Sequence, residues 1–232
     1  MHVVNVPLVL VAHGSRDEAA HTCVGEIAEA VRAALPDVPV RVGYVDVRSP
    51  TVADAVTGLD GAVVVPAFLA AGYHVRVDLP AQLADATGRF VVTPALGPDP
   101  LLVRATAGRL AEAGWRLGDA VVLAAAGSSD PAALGEVRVA GRMLGVEVGR
   151  KARVGYVATA VPRVDTLVAE LRAAGERRIA VASWLLAPGV FHTRLAEVGA
   201  DVVAAPLGAH PDVVAAVVAR YTAAARSVGT AA

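Results

Sequence analysis

The 232-residue sequence predicts an α/β protein made of two duplicated halves, each a four-stranded parallel sheet with helices on both faces. Two observations carry this. In the first half, short β-branched runs such as Val63-Val64-Val65 alternate four times with segments of helical spacing. The pattern then restarts: Gly127 falls 113 places after Gly14, and Arg153-Val154-Gly155-Tyr156-Val157 copies Arg41-Val42-Gly43-Tyr44-Val45. Pro162 answers Pro50, and Pro211 answers Pro100. The expected halves are 1–115 and 116–232, facing each other across a cleft.

The elements follow in order. Leu8–Ala12 reads as a buried strand, and Ser15-Arg16-Asp17-Glu18 fits a capping box with Ser15 as the cap. Ala20, Cys23, Val24, Ile27, Val31 and Leu35 then recur at helical spacing until Pro36. Val40–Val45 is the second strand. Ser49-Pro50 opens a helix that Gly58 closes. Val63–Val65 is the third strand, Val75–Ala86 a helix, and Phe90–Thr93 the fourth strand. Asp99-Pro100 starts a helix running to Gly114. The Ala-rich residues after Tyr221 are expected to fray.

Composition narrows the function. Net charge is −1, which gives no case for a nucleic-acid surface. Hydrophobic residues make up 55%, yet Gly, Pro or charge interrupts every apolar run before membrane-spanning length, so no membrane partner is expected. The amino terminus shows no export signal, and Cys23 is the single cysteine; together these point to a reducing cytoplasm. A monomer or homodimer is expected. Phosphate loops, paired-glycine nucleotide fingerprints and CxxC motifs are absent, and Gly14-Ser15 lacks the second glycine of a nucleophile elbow.

What remains is a set of ionisable groups at strand ends. His13 follows the first strand, and His74 follows the third across an apolar loop that includes Phe68, Leu69 and Tyr73. First and third strands are commonly neighbours in doubly wound sheets, so both imidazoles can share the crevice at the carboxyl edge. Asp46 ends the second strand, and Arg16, Arg48 and Arg76 stand at helix starts. The second half has Ala126 for His13 and Ala158 for Asp46, which places the chemistry in 1–115 and leaves the second half as a lid or wall. His192 is a weaker candidate there; His2, His21 and His210 read as solvated. Imidazole and carboxylate suit a divalent first-row metal, and neutral imidazole also accepts protons near neutrality. Metal insertion into a tetrapyrrole uses both properties. The apolar loop would hold the macrocycle and the arginines its carboxylates.

The turn His13-Gly14-Ser15-Arg16, together with Pro66-x-Phe68-Leu69-x-x-Gly72-x-His74-x-x-x-Asp78-x-Pro80, resembles the CbiX/SirB class II chelatases. The resemblance extends over nearly the whole chain. It implies two flavodoxin-like, chelatase-type halves and insertion of a metal into sirohydrochlorin without a prosthetic group or energy cofactor. Fe²⁺ for sirohaem is the first expectation and Co²⁺ for cobalamin the alternative. It also implies that His13 and His74 bind the metal and take up protons; Phe68, Leu69, Tyr73, Arg16, Arg48 and Arg76 are expected around the tetrapyrrole. Family members often carry glutamate where this sequence has the shorter Asp46, for which a role orienting an imidazole is expected. A metal- or tetrapyrrole-binding carrier that turns nothing over is the reading from another class.

Overall fold

The computed structural model describes residues 6–229; His2 and residues 230–232 lie outside them. The first sheet contains β1 (Leu8–Ala12), β2 (Val40–Tyr44), β3 (Gly61–Pro66) and β4 (Arg89–Val92), all parallel, in the order β2-β1-β3-β4. The second contains β5 (Ala120–Ala125), β6 (Ala152–Tyr156), β7 (Ile179–Trp184) and β8 (Val202–Val203), in the matching order β6-β5-β7-β8. Helices α1 (Glu18–Ala34), α2 (Val52–Val56), α3 (Leu79–Leu83) and α4 (Pro100–Glu112) connect the first set of strands and lead into the second. Helices α5 (Pro131–Glu147), α6 (Val164–Ala173), α7 (Val190–Leu195) and α8 (Pro211–Gly229) follow the strands of the second. Central strands β1, β5 and β7 are buried along their whole length, as expected where helices cover both faces of a parallel sheet.

Each sheet has one helix pair per face. In the first, Val9, Val11, Val45, Val52, Val56, Val64 and Leu79 form the core beneath α2 and α3, while α1 and α8 cover the other face. In the second, Val122, Val157, Leu167, Val181 and Leu195 form the equivalent core beneath α6 and α7, with α5 and α4 opposite. The two compact units are therefore residues 1–96 with 209–232, and residues 97–208. They are offset from the sequence halves 1–115 and 116–232 because α4 and α8 have changed places. Helix α4 packs on α5 and β7, and Arg109 donates to the Leu207 carbonyl. Helix α8 packs on α1 and β3; Arg220 donates to the Ala95 and Leu96 carbonyls, and Tyr221 to that of Val6. The end expected to fray instead stays helical to Gly229. No described helix is long and apolar enough to cross a membrane.

Two helix starts differ from expectation. Asp17, not Ser15, caps α1: its carboxylate accepts from the Ala19 N–H, and the Ser15 hydroxyl accepts from the Asp17 N–H one step earlier. The second unit repeats this with Ser128, Asp130 and Ala132. Likewise Thr51, not Ser49, caps α2, in a reciprocal capping box with Asp54. The Pro50 carbonyl is taken by the Tyr44 N–H beside β2, so the chain is still extended there and the helix must wait.

The duplication also leaves a mismatch that gives a stability prediction. His21 is half-buried and bonded through Nδ1 to the Tyr44 hydroxyl at 2.7 Å, rather than simply solvated. Its counterpart in the second unit is Leu134, and the buried hydroxyl of Tyr156, the copy of Tyr44, finds no hydrogen-bond partner among the described residues. A buried unpaired hydroxyl costs roughly 1–3 kcal/mol, more than a net hydrogen bond contributes. Tyr156→Phe should therefore raise the denaturant midpoint while Tyr44→Phe, worth about 1 kcal/mol, lowers it. Equal signs for the two would contradict this account.

Candidate functional site

The site lies at the carboxyl edge of the first sheet. Strands β1 and β3 pair in parallel, Val11 opposite Pro66, so the loops leaving them start side by side. The chain after β1 turns at Gly14, whose φ of 94° suits a residue without a side chain. A Cβ there would stand 2.0 Å from the Asp46 carbonyl oxygen. That close approach lets the Asp46 N–H donate to the His13 carbonyl and fixes His13 at the strand end. After β3 the chain runs through Phe68, which packs on the core below α2 and α3, to a single turn of π-helix, His74–Asp78. The helix expected from Val75 thus begins with a wider turn, in which the Leu79 N–H reaches back to the His74 carbonyl.

These two loops bring the histidines together. His13 Nε2 lies 3.0 Å from His74 Nε2, with ring centroids 4.4 Å apart and planes nearly perpendicular. Each ring's other nitrogen is engaged: His13 Nδ1 with the Gly14 carbonyl at 2.8 Å, His74 Nδ1 with an Asp78 carboxylate oxygen at 2.6 Å. Carbonyl and carboxylate only accept, so both Nδ1 atoms carry hydrogen. Two neutral rings so held face each other with lone pairs, and lone pairs at 3.0 Å are reconciled by a cation between them, a proton or a metal ion.

The remaining expected site residues are placed as follows. The carboxylate of Asp46 accepts from the Val47 N–H at 2.8 Å, within its own exposed loop, and makes no bond to either imidazole; the carboxylate that does is Asp78. Among the described residues no third His, Cys, Asp or Glu joins a metal-holding cluster. The Arg48 guanidinium donates to the Ser15 carbonyl at 2.9 Å and to Glu18, clamping the turn that carries His13. It holds the Glu18 carboxyl below the usual range, chiefly by that hydrogen bond. Arg76 donates to the Ala71 carbonyl at 2.7 Å, while Arg16 is exposed on the His13 turn. Tyr73 is 60% exposed with its ring edge-on to His74, and the Phe68 ring lies 6.4 Å from that of His13. Leu69 is half-buried on the same loop. In the second unit His192 bonds the Ala204 carbonyl, while in the first unit His210 Nδ1 accepts from the Asp212 N–H.

Asp78 is the residue that sequence reasoning left out of the site. Its signal was available, since four residues separate it from His74 on a helical segment and such pairs touch.

The CbiX family model matches residues 7–113 and again 120–224. The sirohydrochlorin cobaltochelatase of Methanopyrus kandleri is 42% identical over 83 residues, 34% of this chain and 58% of that protein. The chain thus spans less than two thirds of that relative's length. Among solved structures, SirB from Bacillus subtilis with Fe³⁺ superposes with a TM-score of 0.84 at 22% identity, covering 98% of both chains. SirB from Bacillus subtilis subspecies spizizenii in complex with cobalt gives 0.80 at 20% identity, covering 97% of both chains.

Proposed function

This chain belongs to the CbiX family, and from that premise we propose that it inserts a divalent metal ion into sirohydrochlorin, with Fe²⁺ or Co²⁺ as the metal substrate. The observation that carries the reading is the 3.0 Å approach of His13 Nε2 and His74 Nε2. Two convergent neutral nitrogens bind such a metal, and two ligands leave its other positions for the nitrogens of the macrocycle. As the metal enters, two pyrrole N–H protons must leave. An imidazole relieved of the metal has an unoccupied lone pair at the place where those protons are released. Exposed Tyr73, with Phe68 and Leu69, supplies an apolar edge against which a flat ring can lie. Arg16, exposed on the His13 turn, would take a substrate carboxylate, while Arg48 and Arg76 donate to backbone carbonyls.

Iron is the reading from the sequence; the name of the Methanopyrus kandleri relative favours cobalt. The experiment is to mix the protein anaerobically with excess sirohydrochlorin and either metal, following the visible spectrum. Many turnovers per protein are expected, and the higher kcat/KM identifies the metal. Metallation that stops at one equivalent would instead make the protein a carrier. Arg16→Ala should raise KM for sirohydrochlorin several-fold and leave kcat within about threefold, the pattern of lost substrate binding; steady-state kinetics checks this.

A further inference from the structure

We propose that Asp78 is a positioning residue that locks His74 in the tautomer with hydrogen on Nδ1, so that the Nε2 lone pair is presented to the metal. The inference rests on the metal-binding reading of His13 and His74 and adds what aims one of them. Its basis is the 2.6 Å contact between His74 Nδ1 and the Asp78 carboxylate. A carboxylate on the outer nitrogen of a metal-binding imidazole fixes ring orientation and tautomer and raises ligand basicity. Without it, free imidazole prefers hydrogen on Nε2, the tautomer that blocks the metal position.

Two further observations separate this from a structural role. Asp78 stands where α3 begins, yet its side chain caps no N–H group of that helix. The second unit supplies an internal control. Leu79 and Leu195 occupy equivalent places in the two cores, which sets Val190 opposite His74 and Arg194 opposite Asp78. Helix α7 forms there with neither residue. The second unit's histidine in this segment, His192, is displaced from the position of His74 and is followed four residues later by Ala196, with no carboxylate. His13 has no side-chain partner of this kind; the Gly14 carbonyl does the same work through the main chain.

The test uses the full chain and Co²⁺ alone, without tetrapyrrole. In alkaline buffer, two-bond ¹H–¹⁵N NMR of the wild type should show His74 with hydrogen on Nδ1, and Asp78→Ala should shift it toward Nε2. Co²⁺ affinity should fall roughly 10–100-fold in Asp78→Ala, the usual range for such outer partners, with the thermal midpoint nearly unchanged. Asp78→Glu should recover part of the affinity. A wild-type His74 with hydrogen on Nε2, or an Asp78→Ala protein that binds Co²⁺ as tightly as the parent, would overturn the assignment. Should Asp78→Ala lower the thermal midpoint markedly, the NMR tautomer of the folded variant still decides. Because these measurements need no sirohydrochlorin, they judge Asp78 even if turnover fails; failed turnover with intact metal binding counts against the chelatase reading alone.

Discussion

A His13→Ala or His74→Ala protein is expected to insert metal roughly 10²–10⁴-fold more slowly than the parent, the range lost with a positioned acid–base group, while unfolding at nearly the same temperature. Both side chains sit beyond the ends of fully paired strands, so neither substitution opens a hole in a core. On the proposed reading each removes one of the two nitrogens, 3.0 Å apart, that would hold the metal together. The double substitution should cost little more than either single one, because residues acting as a unit are not additive. His192→Ala is the control: that ring is tied to the Ala204 carbonyl within the second unit. A folded His13→Ala or His74→Ala protein with parental turnover would remove the basis for the site.

The second large effect is expected from a methyl group. Gly14→Ala would put its Cβ 2.0 Å from the Asp46 carbonyl oxygen, at a φ of 94°. Neither neighbour is a flexible side chain, so the main chain itself must move. A destabilisation of about 3 kcal/mol is expected for such backbone conflict. Gly127→Ala meets the same obstacle, 2.1 Å from the Ala158 carbonyl oxygen at a φ of 102°. The pair therefore separates folding from function. Both proteins should lose similar stability in denaturant titrations, yet only Gly14→Ala should weaken Co²⁺ binding in the fraction that remains folded. Loss of Co²⁺ binding in folded Gly127→Ala would mean that the second unit contributes to the metal position.

Much of this was legible in the sequence because it depends on short-range chemistry. The glycines at 14 and 127 mark the same turn, Pro and Gly mark helix limits, and the β-branched runs mark buried strands. Parallel pairing of β1 with β3 then puts His13 and His74 at one edge. Asp46 illustrates where such reasoning stops. Its position at a strand end was foreseen, but its carboxylate satisfies the neighbouring Val47 N–H, a choice of rotamer that strand order cannot reveal. Ser15 fits the capping pattern as well as Asp17 does; the difference lies in which residue is extended at the helix entrance. The duplication likewise says that two sheets exist without saying which of them α4 or α8 will cover.

That exchange of helices governs how the protein is made. Residues 8–92 carry both histidine loops and leave the ribosome early, but one face of their sheet is only half covered until α8 arrives. Translation must first deliver all of residues 97–208, so the unit that bears the site is the last to be finished. A chain stopped at residue 115 would leave that apolar sheet face half covered and an α4 with nothing to pack on. Joining 209–232 to 1–96 through a short linker would supply the missing cover. The unit that carries His13 and His74 is thus discontinuous in synthesis, and its sheet is covered on both faces only once α8 has been made.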